Sequence, residues 1–490
     1  MKKLLVGLVA TVAVLAAIMV MRVAGLESRQ PPAGESISID VNMAEVSARF
    51  SRALTFPTIS PQDEADRDVE TFLAFHEFLA VSFPATHEAL LRETVNELSL
   101  VYTWAGRNPA LDPVLLMGHM DVVPVIPGTE DDWQQPPFGG VVAEGSIWGR
   151  GAIDDKASLM SVLEAVEHLV MAGHQPERTI YLAFGHDEEV GGDLGARLIA
   201  ERFERRGIGP FAMVLDEGGM ISEGMVDGVD GRVAIIGIAE KGYISLEVKV
   251  AGEGGHSSSP PAETNLGILA RAVRRLEDNQ FPARLDGATK AMLAWMAPEL
   301  PFSRRMLLGN LWLTRPLVAW GMSTDRTTAP MVRTTTATTI IEGGVKENVL
   351  AIEGRAVINH RILPGDTPES VLARARQIID DERVRVTALP GSTDPSPISD
   401  AGSAAFEMVG TTVRQILGSE ALVTPYLVIG ATDAKFYSGR SDAVFRFLPI
   451  VASGDVLEMV HGTNERLSLE SLEIAVRYFV QLIRNTDQLP

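Results

Sequence analysis

Three stretches, PVLLMGHMD (113–121), TIYLAFGHDEE (179–189) and FAMVLDEGG (211–219), are apolar through most of their length and turn polar at their C-terminal ends. Between them lie amphipathic segments of helical period, and this alternation predicts an α/β domain with a mostly parallel sheet. In such sheets ligands bind beyond the C-terminal ends of the strands, so acidic groups distant in sequence are expected to meet in one crevice. From residue 242 the period changes. GYISLEVKV alternates Ile244, Leu246, Val248 and Val250 with polar positions, the mark of a strand with one wet face. A helix over 264–277, strands near 334–342 and 349–362, a helix in PESVLARARQIIDD and a last strand in VRVTAL complete a smaller, antiparallel α+β unit.

The chain opens with two lysines and an uncharged apolar run from Leu4 to Met21, long enough to cross a bilayer as a helix. Read as an uncleaved anchor, it leaves Lys2 and Lys3 in the cytoplasm and the body outside. Read as a signal, with Val23, Ala24 and Gly25 near a cleavage point, it leaves a secreted protein. The predicted organisation is an anchor or signal segment (1–26), a polar, Pro-containing linker (27–44), a catalytic domain in two parts (45–240 and 393–490) and an inserted α+β lid domain (241–392).

Composition narrows the chemistry. The net charge, 43 − 64 = -21, argues against nucleic acid or anionic lipid headgroups as partners. With no cysteine, any metal must be held by histidines and carboxylates. The strand ends supply them. GHMD offers His119, with Asp121 placed to orient its ring; GRGAIDDK offers Asp154 in a glycine-rich turn; DEE offers Glu188 and Glu189; LDEGG offers Asp216; MVHGTNE offers His461. Each motif alone reads as a solvated turn. As a set they predict two divalent ions sharing Asp154, with Glu189 ligating and Glu188 taking protons. His168 is expected on a helix surface, and His76, His87 and His174 have no ligand-like neighbours.

The ordered motifs LMGHMDVVPV, WGRGAIDDK, AFGHDEEVGG, VLDEGG, GGHSS, HRILPGD and HGTNE resemble the co-catalytic zinc hydrolases grouped with aminoacylase-1, glutamate carboxypeptidase and succinyl-diaminopimelate desuccinylase. Their wording is most similar to the carboxypeptidase S branch, which includes the N-fatty-acyl-amino-acid synthase/hydrolase. The resemblance covers about 45–485 and implies a lid of the dimerisation type, a homodimer being one state open to it. It implies one zinc on His119, Asp154 and Asp216 and a second on Asp154, Glu189 and His461; cobalt or manganese would suit the same donors. It further implies Glu188 as general base, Asp121 behind His119, His256 as an oxyanion donor, and Arg361 and Asn348 as contacts to a substrate carboxylate. Two positions depart from the pattern: Ala157 where many relatives have glycine, and Ala351 where many have proline.

The expected reaction is attack of metal-activated water on the amide of an N-acyl amino acid or small peptide with a free carboxylate, a dipeptide carboxypeptidase being the alternative. A two-metal phosphoesterase would want a basic cluster that these motifs lack, and an inactive anchored binding protein would not need the full ligand set. An apolar stretch at 286–332, with Trp295, Trp312 and Trp320, reads as an acyl-chain wall, a bilayer-facing surface or plain packing.

Overall fold

The computed structural model describes every residue except Met1, Ser38, Ser453 and Pro490, which fall within the expected segments 1–26, 27–44 and 393–490. The three apolar runs form neighbouring strands, Ile180–Gly185, Val114–His119 and Met213–Asp216, in a ten-stranded sheet. Val114–His119 is central and parallel to both others, so all three polar ends leave the sheet on the same side. The sheet is parallel where these strands lie and antiparallel at the edge formed by Leu91–Val95 and Ser99–Trp104.

Both faces of this sheet are covered, which explains the unbroken apolar runs. Leu116, Leu182 and Leu215 enter one core, while their neighbours Leu115, Ala183 and Val214 enter the core on the opposite face. The helices Lys156–Met171 and Leu469–Thr486 pack together over the first core.

A second sheet has the order Thr335–Gly343, Glu353–Ile362, Gly242–Ala251, Val384–Ala388, antiparallel throughout. Ile244, Leu246, Val248 and Val250 all point to the helices Asn265–Asp278 and Pro368–Ile379, as their period of two requires. Thr264 caps the first helix, and Thr367 with Ser370 forms a capping box on the second. The strand expected over 349–362 is two. Val349–Leu350 pairs with Gly255–His256, and Glu353–Ile362 joins the sheet.

Two segments differ from expectation. The linker 27–44 is fastened to the body: Gln30 Nε2 donates to Val423 O (3.0 Å), and Val423 N donates back to Gln30 Oε1 (2.7 Å). Ile37, Ile39 and Val41 then pack on the main core. A primary amide presents donor and acceptor side by side, so one glutamine replaces a strand neighbour. The first helix of the 286–332 stretch, Gly287–Met296, packs on the main-sheet strand Leu422–Val428, and Trp295 sits 5.2 Å edge-on from Phe406. Trp295 is therefore core and does not wall a substrate channel.

Candidate metal centre

His119 is the last residue of its strand, and its ring lies among three carboxylate-bearing residues. Nε2 is 3.0 Å from Asp154 Oδ1 and 3.4 Å from Glu217 Oε1; Nδ1 is 3.0 Å from the backbone oxygen of Asp121 and 3.3 Å from its Oδ1. The shorter contact makes the Asp121 carbonyl the better acceptor for Nδ1–H, with Nε2 left for a ligand position. On the other side of Asp154, Oδ2 is 3.1 Å from His461 Nε2, which is also 3.1 Å from Glu189 Oε2. Two sets of three donors result, His119–Asp154–Glu217 and Asp154–Glu189–His461, each with ligand atoms within 4.8 Å of one another. Asp154 belongs to both.

Asp216, the residue expected beside His119, faces elsewhere. Its Oδ1 accepts from Glu217 N (3.0 Å) and its Oδ2 from Ala434 N (2.7 Å), whereas Glu217 reaches the imidazole. Asp216 ends the strand and Glu217 follows it, so the two side chains leave on opposite faces. The sequence offered both carboxylates in LDEGG, and only the strand's register separates them.

Glu188 joins neither set. It follows Asp187 in the turn after Ile180–Gly185, and the turn is held from below: Asp121 accepts from Glu188 N at 3.2 Å and from Glu189 N at 3.1 Å. Asp121 thus orients both the histidine and the acidic turn. A further residue went unrecognised in HGTNE. Glu465 is fully buried, paired with Arg150 at 2.8 Å, and accepts from the backbone N–H groups of Gly151, Ile153 and Asp154. It braces the loop that presents Asp154, and its one sequence signal was a glutamate closing the motif that begins with His461.

His256 is exposed and uses Nδ1 for Ser258, while the carbonyl of Asn348 accepts from Ser257 N at 3.1 Å, so these two expected residues are neighbours on the lid. Arg361 stacks its guanidinium 5.0 Å from the Tyr243 ring. Among the described residues, no hydrogen bond or ion pair joins His256, Asn348 or Arg361 to the two donor sets.

The electrostatics are those of crowded like charges. Burial, with the charge on Asp154 next, pushes the Glu217 carboxyl up to about 8. Burial raises Glu188 well above the ordinary carboxylate value, His119 opposing, with Glu217, Asp433 and Glu189 adding to it. Glu189 is raised by burial and by Asp154, and its Oε1 is buried with no partner among the described residues. Hydrogen bonds to Asp154 and Glu189 lift His461 to about 10. Burial opposes charging of His119, but Glu217, Asp121 and Asp154 hold it above its usual value. Asp154 is lowered: burial opposes ionisation, and its bonds to both histidines outweigh it. Imidazole nitrogens and carboxylate oxygens crowded around shared positions, one buried oxygen unsatisfied, fit two divalent cations of the zinc type.

A consequence follows for metal-free protein. Glu217 and His461 bind protons more tightly folded than unfolded, so their contribution is lost as pH rises from the ordinary values of 4.5 and 6.5 through about 8 and about 10. Asp154 acts oppositely but is already ionised across that window. The Tm of chelator-treated protein is expected to fall between about pH 6 and about pH 9, and that of zinc-loaded protein to fall much less. Parallel melting curves would mean that cation binding does not relieve the crowding.

A family model described as "Peptidase family M20/M25/M40" matches residues 115–485. The chain is 39% identical over 447 residues to "Probable carboxypeptidase S-like 2" of Dictyostelium discoideum, covering 91% of this chain and 85% of that protein. It is 36% identical over 445 residues to the human "N-fatty-acyl-amino acid synthase/hydrolase PM20D1", covering 89% and 87%. In fold it matches the crystal structure of an M20 family metallo-carboxypeptidase, Sso-CP2, from Sulfolobus solfataricus, with TM-score 0.67, 18% identity and coverage of 91% and 100%.

Proposed function

This chain belongs to peptidase family M20/M25/M40 and is a metallohydrolase, and we propose that it cleaves the amide bond of N-acyl amino acids bearing a free carboxylate, using two zinc ions. The observation that carries this reading is Asp154, shared between two nitrogen-and-oxygen donor sets with the non-ligating Glu188 beside them. His119, Asp154 and Glu217 would hold one ion; Asp154, Glu189 and His461 the other. Bound there, the ions would lower the pKa of water toward about 7 and polarise the substrate carbonyl.

The chain's own residues do the rest. Glu188 accepts the proton of the attacking water and returns it to the leaving amine, a role for which its raised affinity for protons suits it. Asp121 keeps the Glu188–Glu189 turn and the His119 ring in register, so that base and ligands hold one geometry. Glu465 fixes the Asp154 loop through its three backbone contacts. His256, Asn348 and Arg361 lie on the smaller sheet and its loops. We assign His256 to the developing oxyanion, and Arg361 with Asn348 to the substrate carboxylate, reached when the lid closes over the crevice. Likeness to the human N-fatty-acyl-amino acid synthase/hydrolase supports an acyl substrate, while the carboxypeptidase-like relatives support a peptide.

The N-terminal helix, Lys2–Ala24, is the one described helix long and apolar enough to cross a membrane, its most apolar 18 residues having a mean hydropathy of 2.8. We assign it to an uncleaved anchor with the lysines inside and the body outside the cytoplasm.

The deciding experiment compares kcat/KM on a long-chain N-acyl amino acid with that on a dipeptide sharing its C-terminal residue. The zinc-loaded enzyme is expected to favour the acyl substrate at least tenfold. A preference for the dipeptide makes it a carboxypeptidase, and inactivity on both with full metal content overturns the assignment.

A further inference from the structure

The helix Leu311–Thr324 is apolar on both sides but packed on only one. Val318 and Ala319 enter a small cluster with Leu285, Leu293 and Val332. Trp312, Leu313, Leu317 and Trp320 are 51%, 45%, 57% and 65% exposed. With Pro316 they fall within an arc of about 140°, at ~100° per residue of helix. A solvated protein rarely leaves two tryptophans and two leucines on one open face, so something covers it.

The N-terminal helix indicates what. Its first half stands clear of the body, and its second half rests on the preceding helix, Phe302–Leu308, and on the turn that leads into Leu311–Thr324: Val23 is buried, and Asn310 Nδ2 donates to Met19 O at 3.3 Å. Gly309 allows the approach, since a Cβ there would meet Leu26 Cδ1 at 2.7 Å and Val23 Cγ2 at 3.2 Å. Met19 belongs to the apolar run Leu4–Met21. The turn that begins Leu311–Thr324 therefore stands level with the last residues of the span, and Gln30, clasped to Val423 a few residues on, leaves no slack for the body to lift away.

We propose that the Trp312–Trp320 face lies in the outer interface of the same bilayer that the N-terminal helix spans. This rests on the anchor reading above. Tryptophan is favoured at that depth because its ring is apolar and its N–H polar; here Trp312 Nε1 already donates to Asn310 Oδ1 at 3.1 Å. With a net charge of -21, the body as a whole is not drawn to anionic headgroups, so apolar insertion of this face supplies the main force. The docked face fixes the rotation of the whole catalytic body above the membrane.

The absence of cysteine gives a clean test. Full-length protein in phosphatidylcholine nanodiscs carries a single nitroxide through Val12→Cys, Leu317→Cys or Val142→Cys, all exposed positions. Relaxation by dissolved oxygen is compared with relaxation by a water-soluble nickel chelate. Labels at 12 and 317 are expected to favour oxygen, and the label at 142 to favour nickel. If 317 behaves like 142 while 12 remains in lipid, the docking is wrong and the anchor stands. If 12 also reports water, the anchor reading falls and takes the docking with it. If 317 is shielded from both agents in step with dimer formation, a second copy covers the face and the proposal is overturned.

Discussion

Glu188→Gln is expected to lower kcat by about 100- to 10,000-fold while leaving two zinc ions per chain, the range by which a positioned general acid–base acts. The substitution is nearly isosteric, and the main-chain bond from residue 188 to Asp121 does not involve the altered group. Neither donor set contains Glu188, so metal content should be unchanged. Metal analysis and steady-state kinetics on the same preparation make the comparison. A variant within about tenfold of wild-type kcat removes Glu188 from proton transfer.

The second large effect separates two adjacent carboxylates. Glu217→Ala should lose one of the two ions and more than ~100-fold in activity, since altering even an outer partner of a metal ligand costs about 10- to 100-fold. Asp216→Asn should keep both ions and instead melt several degrees lower. Its amide would turn a donor toward the N–H of Glu217 or Ala434, leaving buried groups unpaired at ~1–3 kcal/mol. If Asp216→Asn strips an ion while Glu217→Ala does not, the ligand assignment is reversed.

That pair marks where the sequence stops being legible. The strands carrying the site were readable because a strand buried on both faces is apolar at every position, and the smaller sheet because one face is wet. Both patterns are local. Choosing Glu217 over Asp216 needs the residue at which pairing with Val114–His119 and Val444–Arg446 ends, which no local period encodes. The role of Glu465 was hidden for a related reason: its partners at 150–154 are remote in the chain, and nothing around a glutamate in a loop announces them. The docking of 27–44 turned on one glutamine side chain imitating a backbone, and polar composition suggested the opposite. In 286–332, hydrophobicity signalled burial without saying against what, and its helices divided between the main core and an open face.

The bracing of Asp154 by Glu465 couples two well-separated moments of synthesis. The bonded atoms belong to residues 311 and 312 positions apart, and His461 stands just before the same brace. At ~5–20 residues per second, roughly 15–60 s separate the making of the Asp154 loop from the making of its support. For that interval the growing chain carries the acidic cluster with neither the second imidazole nor the cradle beneath the shared carboxylate. A chain that stops before residue 461 never acquires the Asp154–Glu189–His461 set, so occupancy of that set certifies that translation passed that residue.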